Sequence, residues 1–351
     1  MTKTYSNNLE NLIRTADKIP NTQMMAIAKI SALVALNMRY ERIMVDRNLD
    51  VDPNELVSGY ISDATLELAG VQEISYIEAS SDRLIKDEGT DEEKHKKLFQ
   101  KLWVRFSLDE YKERVERYLY RLKVNKMSNG WLKGFKCIDF GCGHGNFAHA
   151  LIKEGAEYVY AVDCGHDNIE YAIKARESLR VSSEKIEFKE ETVNSVSKPD
   201  NFFDFAVQNG VFHHLENEDE AYKEVYRVLR AGGWFWVYTD GFGSISSDLW
   251  DASVYILREI PQEFILSYLD FINVETGKKY HLGDGLNAVY RHHTWDGIIE
   301  KLTGIGFGNF RRLVGGFSTD FDHDVISKDK YGKEKFGEGD IRILAQKVRT
   351  N

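Results

Sequence analysis

Hydrophobic and polar positions follow two different periods along the chain, and the period changes near residue 124. Before that point apolar residues recur at helical spacing, as at Met25, Leu33 and Leu36. After it, short apolar runs typical of buried strands alternate with helical segments. We therefore predict an N-terminal helical extension over residues 1–124 and an α/β domain over residues 125–351.

The second part of the chain is predicted to alternate strands with helices. The strands are expected at residues 136–140, 158–163, 185–189, 203–208 and 234–240, and the helices between them at 146–154, 166–180 and 218–230. Repeated β–α units favour a parallel sheet with helices on both faces. The last helix is predicted to end at Gly232, because glycine is common after a helix. Phe310–Val314 and Ile341–Val348 predict a closing antiparallel hairpin.

Residues 241–293 are more than a simple strand-to-helix connection needs. Insertions at the carboxyl edge of a parallel sheet often carry specificity, because the loops of that edge surround the ligand. We therefore predict that this segment is a substrate-specificity insertion.

A glycine turn follows the first predicted strand, in the run Lys136-Cys-Ile-Asp-Phe-Gly-Cys-Gly-His-Gly-Asn146. Glycine allows a sharp turn and a close approach of a ligand to the backbone. In the dinucleotide motif G-x-G-x-x-G the third glycine would stand at position 146, where this chain has asparagine, and an extra glycine stands at 145. The spacing therefore departs from the dinucleotide pattern.

Two carboxylates accompany the turn. Asp139 lies two residues before Gly141, where a pyrophosphate would be repelled and a ligand with positive charge would be favoured. Asp163 ends the second predicted strand, the expected position for a carboxylate that binds ribose hydroxyls. Together they favour a cationic ligand that carries a ribose.

The pattern Asp-x-Gly-x-Gly-x-Gly followed by a strand-terminal acid resembles the class I S-adenosylmethionine-dependent methyltransferases. Three later blocks, at 188–192, 203–214 and 228–238, are similar to later blocks of that family in order and spacing. The resemblance spans roughly residues 125–348. It implies a Rossmann-like parallel sheet with a C-terminal antiparallel hairpin and S-adenosylmethionine as cofactor. The implied reaction is in-line transfer of a methyl group to a small-molecule acceptor.

The resemblance also implies roles for individual residues. Asp139 would contact the methionine ammonium and Asp163 the ribose. Glu191, or Glu190 one position earlier, would contact the adenine amino group. The implied cofactor-binding residues are Asp139, Gly141, Cys142, Gly143, Gly145, Asp163, Glu191, Thr192 and Gln208.

Two histidine pairs are candidates for chemistry, since imidazole titrates near neutrality. Candidate catalytic residues are His213, His214 and His292, and candidate substrate-binding residues are Tyr238, Tyr290, Arg291 and His293. The alternatives are a structural histidine at a helix start for the first pair and an ordinary surface loop for the second. The sequence identifies no third ligand beside the histidines, so no metal site is predicted.

Composition limits the classes of partner and the cellular setting that the chain is expected to have. The net charge of −10 argues against general binding to nucleic acid or to an anionic membrane. Three cysteines form no even framework, which favours a reducing, cytoplasmic setting. The apolar stretch 24–38 is too short and too polar to span a membrane.

The N-terminal helices match no chemical motif, and the sequence leaves their role open. They are candidates for packing on the sheet, for a homodimer contact or for a lid over the site. The charged run at 86–97 is the best candidate for a connection between domains.

Two other functions share the βαβ opening. A nicotinamide-dependent oxidoreductase is disfavoured by the displaced third glycine. A non-catalytic S-adenosylmethionine-binding partner or scaffold protein remains as an alternative to the enzyme.

Overall fold

A computed structural model of the protein describes residues 3–74, 84, 107–275, 278–279, 282, 286 and 290–348. The charged run at 86–97 lies outside these residues. The chain divides into two compact units. The first, here called the helical unit, comprises residues 1–92, 243–288 and 326–337, and the second, the sheet unit, comprises residues 93–242, 289–325 and 338–351.

The elements are numbered in chain order. The described helices are α1 (Ser6–Asp17), α2 (Gln23–Val45), α3 (Pro53–Ile74), α4 (Leu108–Val124), α5 (Asn146–Lys153), α6 (His166–Ser178), α7 (Glu218–Val228), α8 (Ile245–Leu257), α9 (Gln262–Phe271), α10 (Trp295–Ile305), α11 (His323–Ile326) and α12 (Gly332–Phe336). The described strands are β1 (Lys136–Phe140), β2 (Tyr158–Asp163), β3 (Ile186–Glu190), β4 (Phe203–Asn209), β5 (Leu229–Asp240), β6 (Phe307–Arg312) and β7 (Asp340–Lys347). A short 3-10 turn covers Phe212–His214.

The helical unit has its own apolar core. Helix α2 begins where the Thr22 hydroxyl accepts a hydrogen bond from the Met25 N–H, at 3.4 Å. Apolar residues at helical spacing, such as Leu33 and Leu36, are buried in that core. Among the described residues, none of the helices combines the length and the apolar run that crossing a bilayer requires.

The sheet unit is built on seven strands in the order β3-β2-β1-β4-β5-β7-β6. Strands β1 to β5 pair in parallel, β7 is antiparallel to β5, and β6 is antiparallel to β7. The predicted parallel sheet with a C-terminal antiparallel hairpin is confirmed. The order reverses between β1 and β4, and the crevice at such a switch point, beyond the carboxyl ends of the strands, is where ligands bind in α/β sheets.

Alternating side chains of the strands build two core layers, because successive residues of a strand point to opposite faces. On one face Cys137 and Val159 pack with the helices α4 and α5. On the other face Ile138 and Tyr160 pack with α7 and α10. Helix α4 therefore belongs to the sheet unit, although it precedes residue 125. The predicted boundary at 124/125 stays a prediction.

The glycine ending predicted for the helix before β5 is wrong. Helix α7 ends at Val228, because Leu229 is already extended at φ −74° and ψ 137°. The glycines lie inside β5, where the register with β4 shifts. A Cβ on Gly233 would lie 2.9 Å from the Arg230 carbonyl oxygen and 3.1 Å from that of Asp204. Glycine is needed there for close strand packing rather than for a helix end.

Candidate functional site

The turn after β1, residues 141–145, is called the glycine loop here. Its three glycines have positive φ angles of 68° (Gly141), 51° (Gly143) and 79° (Gly145), which L side chains rarely adopt. A Cβ on Gly141 would lie 2.5 Å from the Val211 side chain, and one on Gly145 would lie 2.4 Å from the Phe188 ring. A Cβ on Gly143 would have no heavy atom within 4 Å. Packing therefore requires glycine at two positions, and the third faces open space.

Asp139 is a buried carboxylate, and only one of its two oxygens has a hydrogen-bond partner among the described residues. The residue is 2% exposed, and its Oδ2 has no hydrogen-bond partner among the residues that the structure describes. Burial raises the Asp139 pKa to about 7; the nearby Asp163 charge adds to this, and the Ala148 N–H opposes it. An isolated buried carboxylate is costly unless a cation or donor joins it. The arrangement suits a ligand that brings positive charge.

Asp163 ends β2 and braces the glycine loop. Its Oδ2 accepts a hydrogen bond from the Gly143 N–H at 2.9 Å. Its Oδ1 accepts from the Gly165 N–H at 2.8 Å and from the Asn168 amide at 3.1 Å. A carboxylate has about four acceptor positions. The carboxylate therefore fixes the loop conformation, and its contact with a ribose stays a prediction.

Glu191 and Thr192 follow β3 at the same edge of the sheet. The Glu191 N–H donates to the Asp163 carbonyl oxygen at 3.1 Å. The Glu191 carboxylate accepts from the Ser197 hydroxyl at 2.5 Å and from the Ser197 N–H at 3.1 Å. The Thr192 hydroxyl accepts from the Asn194 N–H at 3.4 Å. The backbone of this turn thus lies beside Asp163, and the predicted adenine contact stays untested.

Gln208 near the end of β4 is fully buried. Its amide donates to the Tyr238 carbonyl oxygen at 2.9 Å and accepts from the Val211 N–H at 3.2 Å. These bonds shape the turn that brings Val211 against Gly141. In the glycine loop, the Cys142 N–H donates to the carbonyl oxygen of Val162 on β2, at 2.9 Å. Both predicted cofactor residues therefore make backbone contacts that hold the crevice in shape.

Four rings that the sequence predicts as site residues come together beyond the carboxyl end of β4. The His213 ring centroid lies 4.0 Å from that of His214 and 5.0 Å from that of Tyr290. Tyr290 in turn lies 4.9 Å from His214 and 5.1 Å from His292. The name histidine cluster is used below for these four residues. Burial lowers the pKa of His213 to about 4, so its ring is neutral at pH 7.

The three remaining predicted substrate residues are bound to protein groups. The Arg291 guanidinium donates to the carbonyl oxygens of Leu215 and Glu216. The Tyr238 hydroxyl is 2.9 Å from the Asp240 carboxylate and 3.2 Å from that of Asp340.

His293 pairs with Gly241 in a β-bridge, and its ring nitrogens face Thr239 and Glu218. Arg291 and His293 therefore hold the 290–293 segment beside β5, and their contact with a substrate stays a prediction.

Comparison with known proteins bears on this geometry. Residues 138–237, which run from β1 into β5, match the family model described as "Methyltransferase domain". The chain is 33% identical to the sterol 24-C-methyltransferase erg6 of Aspergillus fumigatus over 121 residues, 32% of this chain and 31% of that protein. It is 26% identical to the fatty-acid O-methyltransferase of Mycolicibacterium smegmatis over 178 residues, 50% of this chain and 61% of that protein.

Residues 138–237 belong to the class I S-adenosylmethionine-dependent methyltransferases. A solved S-adenosylmethionine-dependent methyltransferase from Methanosarcina mazei aligns with 62% of this chain and 94% of its own, at 24% identity and a TM-score of 0.41. The chain spans less than two thirds of the length of either curated relative named above.

S-adenosylmethionine, the cofactor of this family, fits the residues that the methyltransferase domain presents. The lone buried oxygen of Asp139 suits its ammonium or sulfonium charge, and the open space above Gly143 would be filled by a Cβ. Asp139, Gly141, Gly143 and Asp163 are the residues that would hold it. The Asp139 carboxylate agrees with the predicted preference for a cationic ligand over a pyrophosphate, because a pyrophosphate would be repelled by it.

Sequence reasoning missed the contribution of helix α4 to the methyltransferase domain. The Tyr118 ring stacks on Phe147 at 4.4 Å, and its hydroxyl accepts from the Asn209 amide at 3.4 Å. The Tyr111 hydroxyl donates to the His144 carbonyl oxygen at 3.1 Å. The sequence did contain a signal for this packing, because Tyr111 and Tyr118 are seven residues apart and therefore lie on one face of the helix. The predicted boundary at 124/125, which stays a prediction, places that helix in the N-terminal extension.

Proposed function

We propose that the chain is an S-adenosylmethionine-dependent methyltransferase that acts on a small-molecule acceptor. The observation that carries the proposal is the buried Asp139 carboxylate, with its lone oxygen beside a glycine loop at the switch point of a methyltransferase domain. A pyrophosphate ligand would be repelled there, which disfavours the nicotinamide-dependent alternative.

The protein's part in the reaction is mostly position and desolvation. When bound, the cofactor supplies an activated methyl group on a sulfonium, so the sulfur leaves without acid catalysis. Asp139 and the glycine loop orient the cationic end of the ligand. Where the acceptor arrives protonated, neutral His213 is the group assigned to accept its proton. His214 and His292 are second candidates for that role.

A small acceptor is supported by the named activities of the relatives, which act on a sterol and a fatty acid. The net charge of −10 disfavours a nucleic-acid acceptor. Tyr290 and Tyr238, with the 241–293 segment, are proposed to contribute to acceptor specificity. We propose a reducing, cytoplasmic setting for the reaction, since the three cysteines form no even framework for disulfides.

The helices before residue 125 keep the three roles given above as proposals: packing on the sheet, a lid, or a homodimer contact. Sedimentation velocity of the protein with and without cofactor tests the homodimer. A monomer at all concentrations would exclude it.

The decisive test is calorimetric titration of the protein with S-adenosylmethionine and, separately, with NADH. We expect micromolar binding of S-adenosylmethionine that is lost in Asp163→Ala, since that change releases the glycine loop. Exposed Asp167→Ala is the matched control and keeps binding. Release of S-adenosylhomocysteine is then measured with sterols, fatty acids and phosphorylated amines as acceptors.

Each outcome separates the candidates. Turnover with one of these acceptors supports the enzyme. Binding without turnover on any acceptor favours the non-catalytic S-adenosylmethionine-binding protein. Binding of NADH alone overturns the cofactor.

A further inference from the structure

A chain of hydrogen bonds runs through the sheet unit from a partly exposed lysine to His213. The Lys301 ammonium donates to Glu218 Oε1 at 2.5 Å. The Glu218 carboxylate oxygens lie 3.0 and 3.1 Å from His293 Nε2. His293 Nδ1 lies 2.9 Å from the Thr239 hydroxyl, which lies 3.3 Å from His213 Nδ1. Five segments contribute to it: α10, α7, the 290–293 segment, β5 and the turn after β4.

The central residues of this series of hydrogen bonds are buried from solvent. Glu218 is 6% exposed, Thr239 1% and His213 2%. Burial by itself would raise the pKa of Glu218, but the hydrogen bonds from His293 and Lys301 and the Lys301 charge outweigh it and lower the pKa to about 2. Glu218 is therefore ionised at neutral pH and can only accept hydrogen bonds. This fixes the direction of the first bond, which His293 Nε2 donates to Glu218.

The proton positions can be derived one after another. Because the Glu218 carboxylate only accepts, His293 Nε2 must carry a proton. When the His293 ring is neutral, Nδ1 is then an acceptor, whereas a charged ring would donate from both nitrogens and reverse the bonds beyond it. Thr239 has one hydroxyl proton, which it donates to His293 Nδ1. The Thr239 oxygen is then the acceptor for His213 Nδ1–H. A neutral His213 with its proton on Nδ1 has none on Nε2.

We propose that Glu218, acting through a neutral His293 and Thr239, is a positioning residue that holds His213 with Nε2 unprotonated and ready to accept the acceptor's proton. The inference deepens the proposed methyl transfer and rests on it for its use. It also gives His293 a role other than the substrate contact that the sequence predicts.

The step in which His213 acts is balanced. The acceptor's nucleophilic atom forms a bond to the methyl carbon, and the electron pair of the carbon–sulfur bond remains on sulfur. The proton of the nucleophile passes to His213 Nε2, and the resulting imidazolium later returns it to water. A His213 ring with its proton on Nε2 would present a donor instead of an acceptor and could not take this proton.

A purely structural role for Glu218 is the competing explanation. Glu218 is the first residue of α7, where an acidic side chain favours the helix N-terminus. That role explains a carboxylate at this position, but it requires no particular proton arrangement in His213. The two explanations therefore differ in the tautomer of His213.

The experiment is ¹⁵N NMR of histidine-labelled protein at neutral pH, with the His213 signals assigned by their loss in His213→Gln. The wild type is expected to show a proton on Nδ1 of His213 and none on Nε2. In Glu218→Gln the amide donates to His293 Nε2 while Lys301 keeps the oxygen, so every bond reverses and His213 carries its proton on Nε2.

The matched control is Glu224→Gln, the same change at another buried glutamate of α7, which bonds Arg227 and the Val196 N–H. It should leave the His213 tautomer as in the wild type. Thr239→Val removes the hydroxyl that links His293 to His213, with little change of side-chain volume, and should leave His213 in a mixture of tautomers. Thr239→Ser keeps a hydroxyl and should retain the single tautomer.

Activity provides the second readout. With the acceptor found by screening, Glu218→Gln and Thr239→Val should lower kcat at least tenfold with KM and cofactor affinity within twofold, and Thr239→Ser should recover. A wild-type His213 with its proton on Nε2, or the same tautomer in Glu218→Gln as in the wild type, overturns the inference. The expected tautomers without turnover on any acceptor would support the positioning role and contradict the proposed function instead.

Discussion

The glycine loop and the histidine cluster lie at neighbouring strand ends of one sheet but solve different problems. Beside the loop, the Oδ2 of buried Asp139 has no hydrogen-bond partner within the part of the chain that the structure describes. The cluster instead joins His213 to Thr239 and, through it, to His293. A lone carboxylate suits a group that recognises a charged ligand, and a fixed imidazole suits one that must present a single nitrogen.

The two regions also place their constraints on different parts of the chain. The loop depends on backbone conformation, since all three of its glycines have positive φ. The cluster depends on side chains contributed by segments far apart in sequence, such as His213 and Tyr290. Changes in the loop should therefore act first on folding and cofactor binding, and changes in the cluster first on turnover. Four measurements test this contrast, in order of decreasing effect.

Gly145→Ala is expected to have the largest effect. Its Cβ would enter the Phe188 ring at 2.4 Å, and the left-handed backbone adds strain. We expect the free energy of unfolding to fall by about 3 kcal/mol, measured by urea denaturation. Gly143→Ala, which meets no neighbouring atom, should cost about 1 kcal/mol of stability but abolish cofactor binding. Equal loss of stability in both variants would contradict the packing argument.

Asp139→Asn should weaken S-adenosylmethionine binding about 30-fold, since a hydrogen bond to a charged group contributes about 2 kcal/mol. Its stability should rise at neutral pH, because an unpaired buried charge is removed. Calorimetry measures the first effect and urea denaturation the second. Asp167→Asn changes the charge equally at an exposed position and should leave both unchanged. Unaltered binding in Asp139→Asn would refute the cation role.

The pH dependence of cofactor binding sharpens the same point. The Asp139 pKa is raised from 3.8 to about 7, so the group stabilises the fold below its unfolded pKa, and this contribution is lost as pH rises towards 7. A cationic ligand needs the ionised form. Affinity should therefore rise by up to about tenfold per pH unit below pH 7 and level off above it. Titrations from pH 5.5 to 8 should show this slope, and a slope that persists in Asp139→Asn would assign it to another group.

The smallest effect is expected from Tyr118→Phe. This change removes the hydroxyl on α4 that accepts a hydrogen bond from the Asn209 amide at the end of β4. At 3.4 Å the bond is long, so the loss should be about 0.5 kcal/mol, measured by urea denaturation. The stacking on Phe147 remains. Exposed Tyr120→Phe is the matched control and should be neutral. A loss of several kcal/mol would show that α4 supports the sheet through the hydroxyl rather than through its rings.

Much of the sheet unit follows from local pattern. The strands 136–140 and 158–163 are observed as predicted, since short apolar runs bounded by polar turns have few other solutions. The same holds for two helix starts, where the Thr22 and Thr294 hydroxyls accept from the N–H groups of Met25 and Gly297 three residues on. The glycines at 232 and 233 misled the sequence reasoning. A glycine that ends a helix and one that allows a strand bulge look alike in sequence, and only the partner strand distinguishes them.

The sequence by itself determined the βαβ opening, the glycine loop, and the acids Asp139 and Asp163 near the ends of β1 and β2, because these depend on neighbours in the chain. Only the tertiary structure decided that, among the described residues, Asp139 Oδ2 has no partner, that α4 contacts the loop, and that Glu218 connects to His213 through His293 and Thr239. Those facts depend on burial and on contacts between segments up to about 75 residues apart. No local pattern encodes such distances, because they arise when the sheet closes and its helices pack against it.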